Sequence, residues 1–262
     1  MSVNSSPNLT LSTWNLAANN QADRVGTLAA YLTMQGPGAT ILTELTATDA
    51  LKKALTREIG NDYSLDDINT GGTRYEDGIG LLVIGDGYEM PEGVEAVPTH
   101  GDKMRYIMRA GLTTPLGQVG VVGLRGAYIS GRGTRFSSGG PERKAQFQTA
   151  AEVALDLAEE YDGMALLGGD TNSFARTHDR IFTRNGLHRL SGGDNTWPDR
   201  KGLKLTTLDS RIMAAPHALT HQGIALDAIY GTRAVQLVGT PQIDATGISD
   251  HMHVEVTVKK AV

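Results

Sequence analysis

The chain has 262 residues, 40% hydrophobic and 20% charged, with a formal net charge of −5 at pH 7. That is an ordinary globular balance with enough apolar surface for a sizeable core, and it lacks the basic footprint of a tight non-specific nucleic-acid binder. With no cysteine, disulfides, thiolate metal sites and a cysteine nucleophile are all excluded.

A whole-chain charge is still compatible with a local positive face, because acidic metal ligands count against the sum. Glycine is abundant at 32 residues, which implies tight turns between short strands. Met1 to Asn8 is polar and uncharged, without the apolar core of a signal peptide, and no apolar run reaches the roughly 20 residues that span a bilayer. The expectation is a cytoplasmic protein without a membrane partner.

Leu9 to Leu16 alternates and predicts a strand ending at Trp14-Asn15. Gln21 to Met34 predicts a helix with Val25, Leu28, Ala29 and Leu32 on one face, stopped by Gly36-Pro37-Gly38. Ala39 to Leu45 is a short apolar run with one charge, Glu44, near its end. Thr48 or Asp49 can cap the next helix, whose face is Leu51, Ala54, Leu55 and Ile59 and whose stop is Gly60. The period then changes, and Gly78 to Ile84, Lys103 to Ala110 and Gln118 to Leu124 predict strands joined by glycine-rich turns.

Pro141 suits the first turn of a helix running to about Tyr161, with Phe147, Ala150, Ala151, Ala154 and Leu155 inward. Met164 to Leu167 predicts a buried strand, and Gly168-Gly169 lets the backbone turn sharply at its end. Asp170 and Asn172 then stand at a strand's carboxyl end, where open α/β sheets build their sites. Ser173 to Gln222 is polar with little periodicity and holds His178, His188, His217 and His221, expected as surface or loop residues. Strands resume at Ile224 to Tyr230, Ala234 to Val238 and His251 to Val258. No linker, repeat or low-complexity block interrupts the chain, and residues 1–262 are expected to form one domain.

Single polar residues at strand ends are ordinary turn chemistry. Asp227 stands out because it lies in an apolar strand, where a charge needs a partner. Ser249-Asp250-His251 sets a carboxylate beside an imidazole at another strand's start.

Taken together, Trp14-Asn15, Glu44, Gly169-Asp170-Thr171-Asn172, Asp227 and Ser249-Asp250-His251 resemble, in order and rough spacing, the endonuclease/exonuclease/phosphatase superfamily. Its members include pancreatic-type DNases, abasic-site endonucleases, neutral sphingomyelinases and inositol polyphosphate phosphatases. The resemblance runs from Trp14 to Val258, with Thr196-Trp197 adding a further likeness upstream of Asp227. Its most specific signals are the final Ser-Asp-His and the Gly-Asp-x-Asn.

The resemblance implies a four-layer α/β sandwich, with two mixed β-sheets face to face, helices outside and a site at one edge. It implies hydrolysis of a phosphate ester with Mg²⁺ or Mn²⁺ held mainly by Glu44, with Asn15 and Asp250 near the metal. Asp170 would orient or deprotonate the attacking water, Asn172 would hold a phosphate oxygen, and Asp227 would fix His251 against the phosphate. The residue types suit the task. Carboxylates and an amide are hard oxygen ligands for Mg²⁺, and a cation must screen a diester that repels hydroxide.

One departure concerns a His that many members carry before the long helix. Here Val121-Val122-Gly123-Leu124-Arg125-Gly126-Ala127-Tyr128 has none, so Arg125 takes that position, with Tyr128 the second candidate. Arg125 can give a phosphate two parallel donors but cannot act as a general base. Arg132, Arg135, Arg143 and Lys144, and then Arg176, Arg180 and Arg184, are candidates for a positive rim, with Arg132, Arg135 and Arg176 the favoured substrate contacts.

The expected activity is therefore a metal-dependent phosphodiesterase, most specifically a nuclease acting on DNA before RNA, with no protein partner specified. A lipid or inositol phosphate ester is the first alternative. Against it stand the lack of an exposed apolar hairpin and the absence of the phosphatases' Trp-Cys-Asp-Arg signature, which Trp197-Pro198-Asp199-Arg200 matches only superficially. A non-catalytic scaffold is the second, and it has no chemical need for all five motifs.

Overall fold

The structure, a computed structural model, describes residues 7–17, 21–69, 78–99, 105–126, 140–172, 175–191, 227–244, 246–249 and 251–261, the side chains of residues 140, 141 and 175–177 excepted. In chain order the elements are β1 (Leu9–Asn15), α1 (Gln21–Met34), β2 (Gly38–Leu45), α2 (Thr48–Ile59), β3 (Tyr63–Asn69), β4 (Gly78–Ile84), β5 (Glu95–Pro98) and β6 (Tyr106–Thr114). They continue with β7 (Gly117–Arg125), α3 (Gly140–Glu160), β8 (Ala165–Asp170), α4 (Ala175–Arg184), β9 (His188–Arg189), β10 (Asp227–Gly231), β11 (Val235–Asp244) and β12 (His253–Lys260). One six-stranded sheet has the order β11-β12-β1-β2-β4-β3 and the other β5-β6-β7-β8-β10-β9. Both mix parallel and antiparallel pairs, since β1–β2 and β7–β8 are parallel.

The two-residue period of each strand sorts its side chains between a shared core and an outer one. Leu9 and Leu11 of β1, Ile41 of β2, Val119 and Val121 of β7, Leu166 of β8, Ile229 of β10 and Val254 and Val256 of β12 pack between the sheets. Trp14, Leu42 and Leu82 face outward onto Leu28, Leu32, Leu51 and Leu55 of α1 and α2. Val122, Leu124, Leu167 and Tyr230 face outward onto Phe147, Ala151 and Ala154 of α3 and Phe182 of α4. Each fully buried Leu or Phe contributes about 1.5–3 kcal/mol, so the three clusters hold four layers together. Every layer of the expected sandwich is present.

Several local expectations need correction. Leu155 is exposed, and Leu157 is buried in its place. At 100° per residue, Leu155 and Leu157 lie about 80° to either side of the stripe formed by Phe147, Ala150, Ala151, Ala154 and Ala158, and the buried face extends toward Val153 and Leu157. Neither Thr48 nor Asp49 caps α2, whose N-cap is Ala47 without a side-chain hydrogen bond. The Thr48 side chain bonds Asp67 instead.

Gly168 and Gly169 do not end β8, which continues to Asp170. They are there for close approach: a Cβ on Gly169, at φ +138°, would lie 1.9 Å from the Leu124 carbonyl oxygen. A Cβ on Gly168 would lie 3.0 Å from Ile41 of the facing sheet. The polar stretch after Ser173 contains α4 and β9, and His178 is completely buried there, its Nδ1 2.6 Å from the Tyr230 hydroxyl. The helix reads as polar because His178 shares its inner face with Phe182. His217, His221 and Thr196-Trp197 lie outside the described residues.

Candidate active site at the sandwich edge

The same alternation that builds the core delivers polar residues to one end of it. Asn15 follows Leu9, Leu11 and Thr13 on the inner side of β1, and Asp170 follows Leu166 and Gly168 on the inner side of β8. Arg125 follows Val119 and Val121 on β7, and Asp227 precedes Ile229 on β10. Register then aligns them: Asp170 is the Cα partner of Arg125 on one flanking strand and of Asp227 on the other.

Glu44 reaches this edge by a bulge. Alternation would turn it outward with Leu42, but the register with β4 slips between Thr43 and Leu45 and Glu44 takes φ +56°. Leu45 therefore fills the outer core, and the Glu44 carboxylate crosses to Arg125 of the opposite sheet, 2.8 Å from its Nη2. A bulge that re-aims a side chain beside a site is a known use of the motif.

Asp170 is the buried centre. Its Oδ2 accepts N–H groups from Asn15 Nδ2 and Asn172 Nδ2, each at 2.9 Å, and its Oδ1 accepts the Asn172 backbone N–H at 2.8 Å. The Asn15 bond joins the two sheets. Burial pushes the Asp170 carboxyl up to about 7; His251 and Arg125 oppose the shift, and Asp227 and Glu44 add to it. Two carboxylates directly opposite on adjacent strands repel. Here the Asp227 charge is met by His251, whose Nδ1 lies 2.8 Å from Asp227 Oδ2.

The loop carrying His251 is tied to β1. Ser249 Oγ donates to the Asn15 carbonyl at 2.6 Å and accepts the His251 N–H at 3.1 Å. Asn172, at φ +45°, spends both side-chain hydrogens inside the protein, on Asp170 and on the Gly126 carbonyl at 3.0 Å.

Of the residues expected at the site, Asn15, Glu44, Arg125, Asp170, Asn172, Asp227 and His251 gather here through these contacts and the charges felt by Asp170. Asp250, Tyr128, Arg132 and Arg135 lie outside the described residues, and Arg176 falls in the first turn of α4 with its side chain undescribed. Arg143, expected on a positive rim, is buried and donates to the Asn172 carbonyl at 2.7 Å. The sequence reading also missed Gln21, Arg24 and Gln146. Each is a polar residue of a helix-forming segment, and none of them had a local signal.

The donor set fits a hard divalent cation. Asp170, Asp227 and His251 each place a donor atom within 4.8 Å of the others. Asp227 and His251 are engaged with one another, and beside them Glu44 and Asn15 add oxygen donors that are themselves engaged, Glu44 with Arg125 and Asn15 Oδ1 with the Ala17 N–H. Among the described residues no helix is long and apolar enough to cross a membrane.

No protein-family model and no curated protein sequence matches the chain. Solved structures do match in fold. An endonuclease/exonuclease/phosphatase family protein from Leptotrichia buccalis superposes with TM-score 0.69 at 12% identity, over 96% of this chain and 99% of that one. A protein of the same family name from Bacteroides thetaiotaomicron gives 0.65 at 15%, over 96% and 94%. TDP2 from D. rerio, complexed with single-strand DNA product, gives 0.63 at 16%, over 97% and 99%. Two facing mixed sheets, outer helices and these neighbours together identify the chain's architecture as the endonuclease/exonuclease/phosphatase, DNase I-like fold.

Proposed function

We propose that this chain is a single-domain, divalent-metal-dependent phosphodiesterase that hydrolyses nucleic acid, DNA in preference to RNA. The observation that carries the reading is the buried Asp170 carboxyl, held by one amide from each sheet between a Glu–Arg pair and an Asp–His pair. A carboxyl raised to about 7 can take a proton from water near neutral pH, and the two amides on Oδ2 orient the group so that Oδ1 would do so.

Glu44 and Asn15, with Asp250, would hold Mg²⁺ or Mn²⁺, which when bound supplies charge screening at the phosphate. Asp227 fixes the His251 ring through Nδ1, and in this reading the ring's Nε2 meets a phosphoryl oxygen when substrate is bound. Arg125 is a phosphate ligand in this reading, released from Glu44 as the substrate's anion arrives. Asn172 orients Asp170, and contact with a phosphate oxygen requires it to give up the Gly126 carbonyl. Tyr128, Arg132, Arg135 and Arg176 are further substrate contacts. That a TDP2 of the same fold is complexed with single-strand DNA product supports the choice of nucleic acid.

The test is to incubate the protein with supercoiled plasmid, single-stranded DNA, RNA and bis-p-nitrophenyl phosphate. Each is combined with Mg²⁺, Mn²⁺ or EDTA, beside an Asp170→Ala control. DNA cleavage that needs metal and Asp170 is expected. Turnover of the small diester alone would move the substrate to a non-nucleic-acid ester, and no turnover anywhere would leave a scaffold.

A further inference from the structure

Four non-glycine residues among those described adopt left-handed φ: Ala17 (51°), Glu44 (56°), Asp162 (51°) and Asn172 (45°). Asp162 lies in the exposed turn after α3. The other three border the candidate site, and the carbonyl of each is taken by a side chain from a covering helix. Gln21 Nε2 donates to the Glu44 oxygen and, at 3.3 Å, to that of Ala17. Arg24 Nη2 donates to Leu16 and Ala17, each at 2.9 Å, and its Nη1 to Ile248 in the His251 loop. On the other sheet Arg143 Nη1 holds the Asn172 carbonyl at 2.7 Å, and Gln146 Nε2 donates to Arg125 at 3.2 Å.

The arrangement repeats. Gln21 and Arg24 are three residues apart near the start of α1, and Arg143 and Gln146 are three apart near the start of α3. That spacing puts each pair on one helix face. Gln21, Arg143 and Gln146 are buried, and burial pulls the Arg143 guanidinium below its ordinary value. A buried cation needs charge-assisted bonds to offset its desolvation, and the bond identified for Arg143 is to a carbonyl whose residue bears a site side chain. Left-handed non-glycine residues persist where the surroundings over-determine them.

We infer that Gln21–Arg24 and Arg143–Gln146 are matched positioning pairs, one per sheet, that hold the strained strand ends so that Asn15, Glu44, Arg125, Asp170 and Asn172 converge. None of the four side chains touches the reacting atoms. The kinetic half of the test rests on the phosphodiesterase reading above.

The experiment uses full-length Arg143→Met, Arg24→Met and the two Lys variants, with kcat and KM on bis-p-nitrophenyl phosphate and Mn²⁺, melting temperature, and amide hydrogen exchange without metal. Arg143→Met is expected to lose about 10–100-fold in kcat with KM within about twofold, because small misplacements of site groups cost that much. Arg143→Lys, which keeps a donor, recovers part of the loss. Exchange should rise at least about tenfold at Gly126 and Asn172, whose N–H groups bond Asp170, and at Ala17 in Arg24→Met, whose N–H bonds Asn15.

Wild-type kcat and exchange in folded Arg143→Met would overturn the inference. So would a lowered melting temperature with unchanged turnover per folded molecule, the mark of a purely structural role. If the wild type cleaves no diester, the phosphodiesterase reading fails and the exchange measurement alone decides the positioning role.

Discussion

His253 offers a stability prediction whose size follows from its surroundings. It faces outward from β12 between Trp14 and Tyr31, edge-on to both rings at 6.0 and 5.5 Å, and it is 2% exposed. Burial lowers its pKa from 6.5 to about 4, against a smaller opposing effect of Asp244. The folded protein therefore keeps this ring neutral over a range where the unfolded chain protonates it. Its contribution is fully present above about 6.5 and is lost as pH falls toward about 4.

At about 1.36 kcal/mol per pH unit, the gap between 6.5 and about 4 sets a ceiling near 3.4 kcal/mol. Between pH ~7.5 and ~5 the same linkage gives about 2 kcal/mol. Asp170 acts with the opposite sign, since its folded pKa of about 7 exceeds the unfolded 3.8 and acidification through that window favours the fold. The wild-type curve alone therefore mixes the two. Urea unfolding of wild type and His253→Phe from pH 7.5 to 5 separates them, because the variant keeps Asp170. The wild type should lose about 2 kcal/mol more than the variant over this range. Parallel curves would show that His253 ionisation is not coupled to folding.

Three further outcomes follow from particular contacts. Gly169→Ala combines φ +138° with a Cβ 1.9 Å from the Leu124 carbonyl oxygen, so thermal melting should show a loss of at least about 2 kcal/mol or no folded protein. Ala17→Gly relieves a left-handed alanine at φ 51°, and after the extra unfolded-state entropy a gain of about 0.5–1 kcal/mol should appear in denaturant titration. Exposed Arg180 and Arg184 share one face of α4; their double replacement by Ala should leave bis-p-nitrophenyl phosphate turnover unchanged while weakening DNA binding. The slope of log affinity against log salt should then fall by about 1.5, read by fluorescence anisotropy.

How much of this was open to a reader of the sequence depends on how local each signal is. Alternation along Leu9 to Asn15 already put Asn15 on the face of Leu9 and Leu11, and the apolar run before Asp170 placed that carboxylate at a buried strand's end. The order of Asn15, Glu44, Asp170, Asn172, Asp227 and His251 was enough to name the fold through its resemblance to the superfamily, which period two alone would not have supplied, since it turns Glu44 to the wrong face. Strand β3 escaped because Asp66 and Asp67 interrupt its pattern, one accepting the Val94 N–H, and β5 because it is mostly exposed.

Chain-local physics thus determined which residues are apolar, which face of a strand they take, and where the polar ends fall. The Glu44 bulge, the Arg125–Glu44 bond across the two sheets, the facing of Asp170 by Asp227, and the grip of Arg24 and Arg143 on left-handed carbonyls were decided only by the folded packing. These depend on register and on contacts between residues 7 to 224 positions apart, where no local periodicity carries information and only the closure of two sheets brings the partners together.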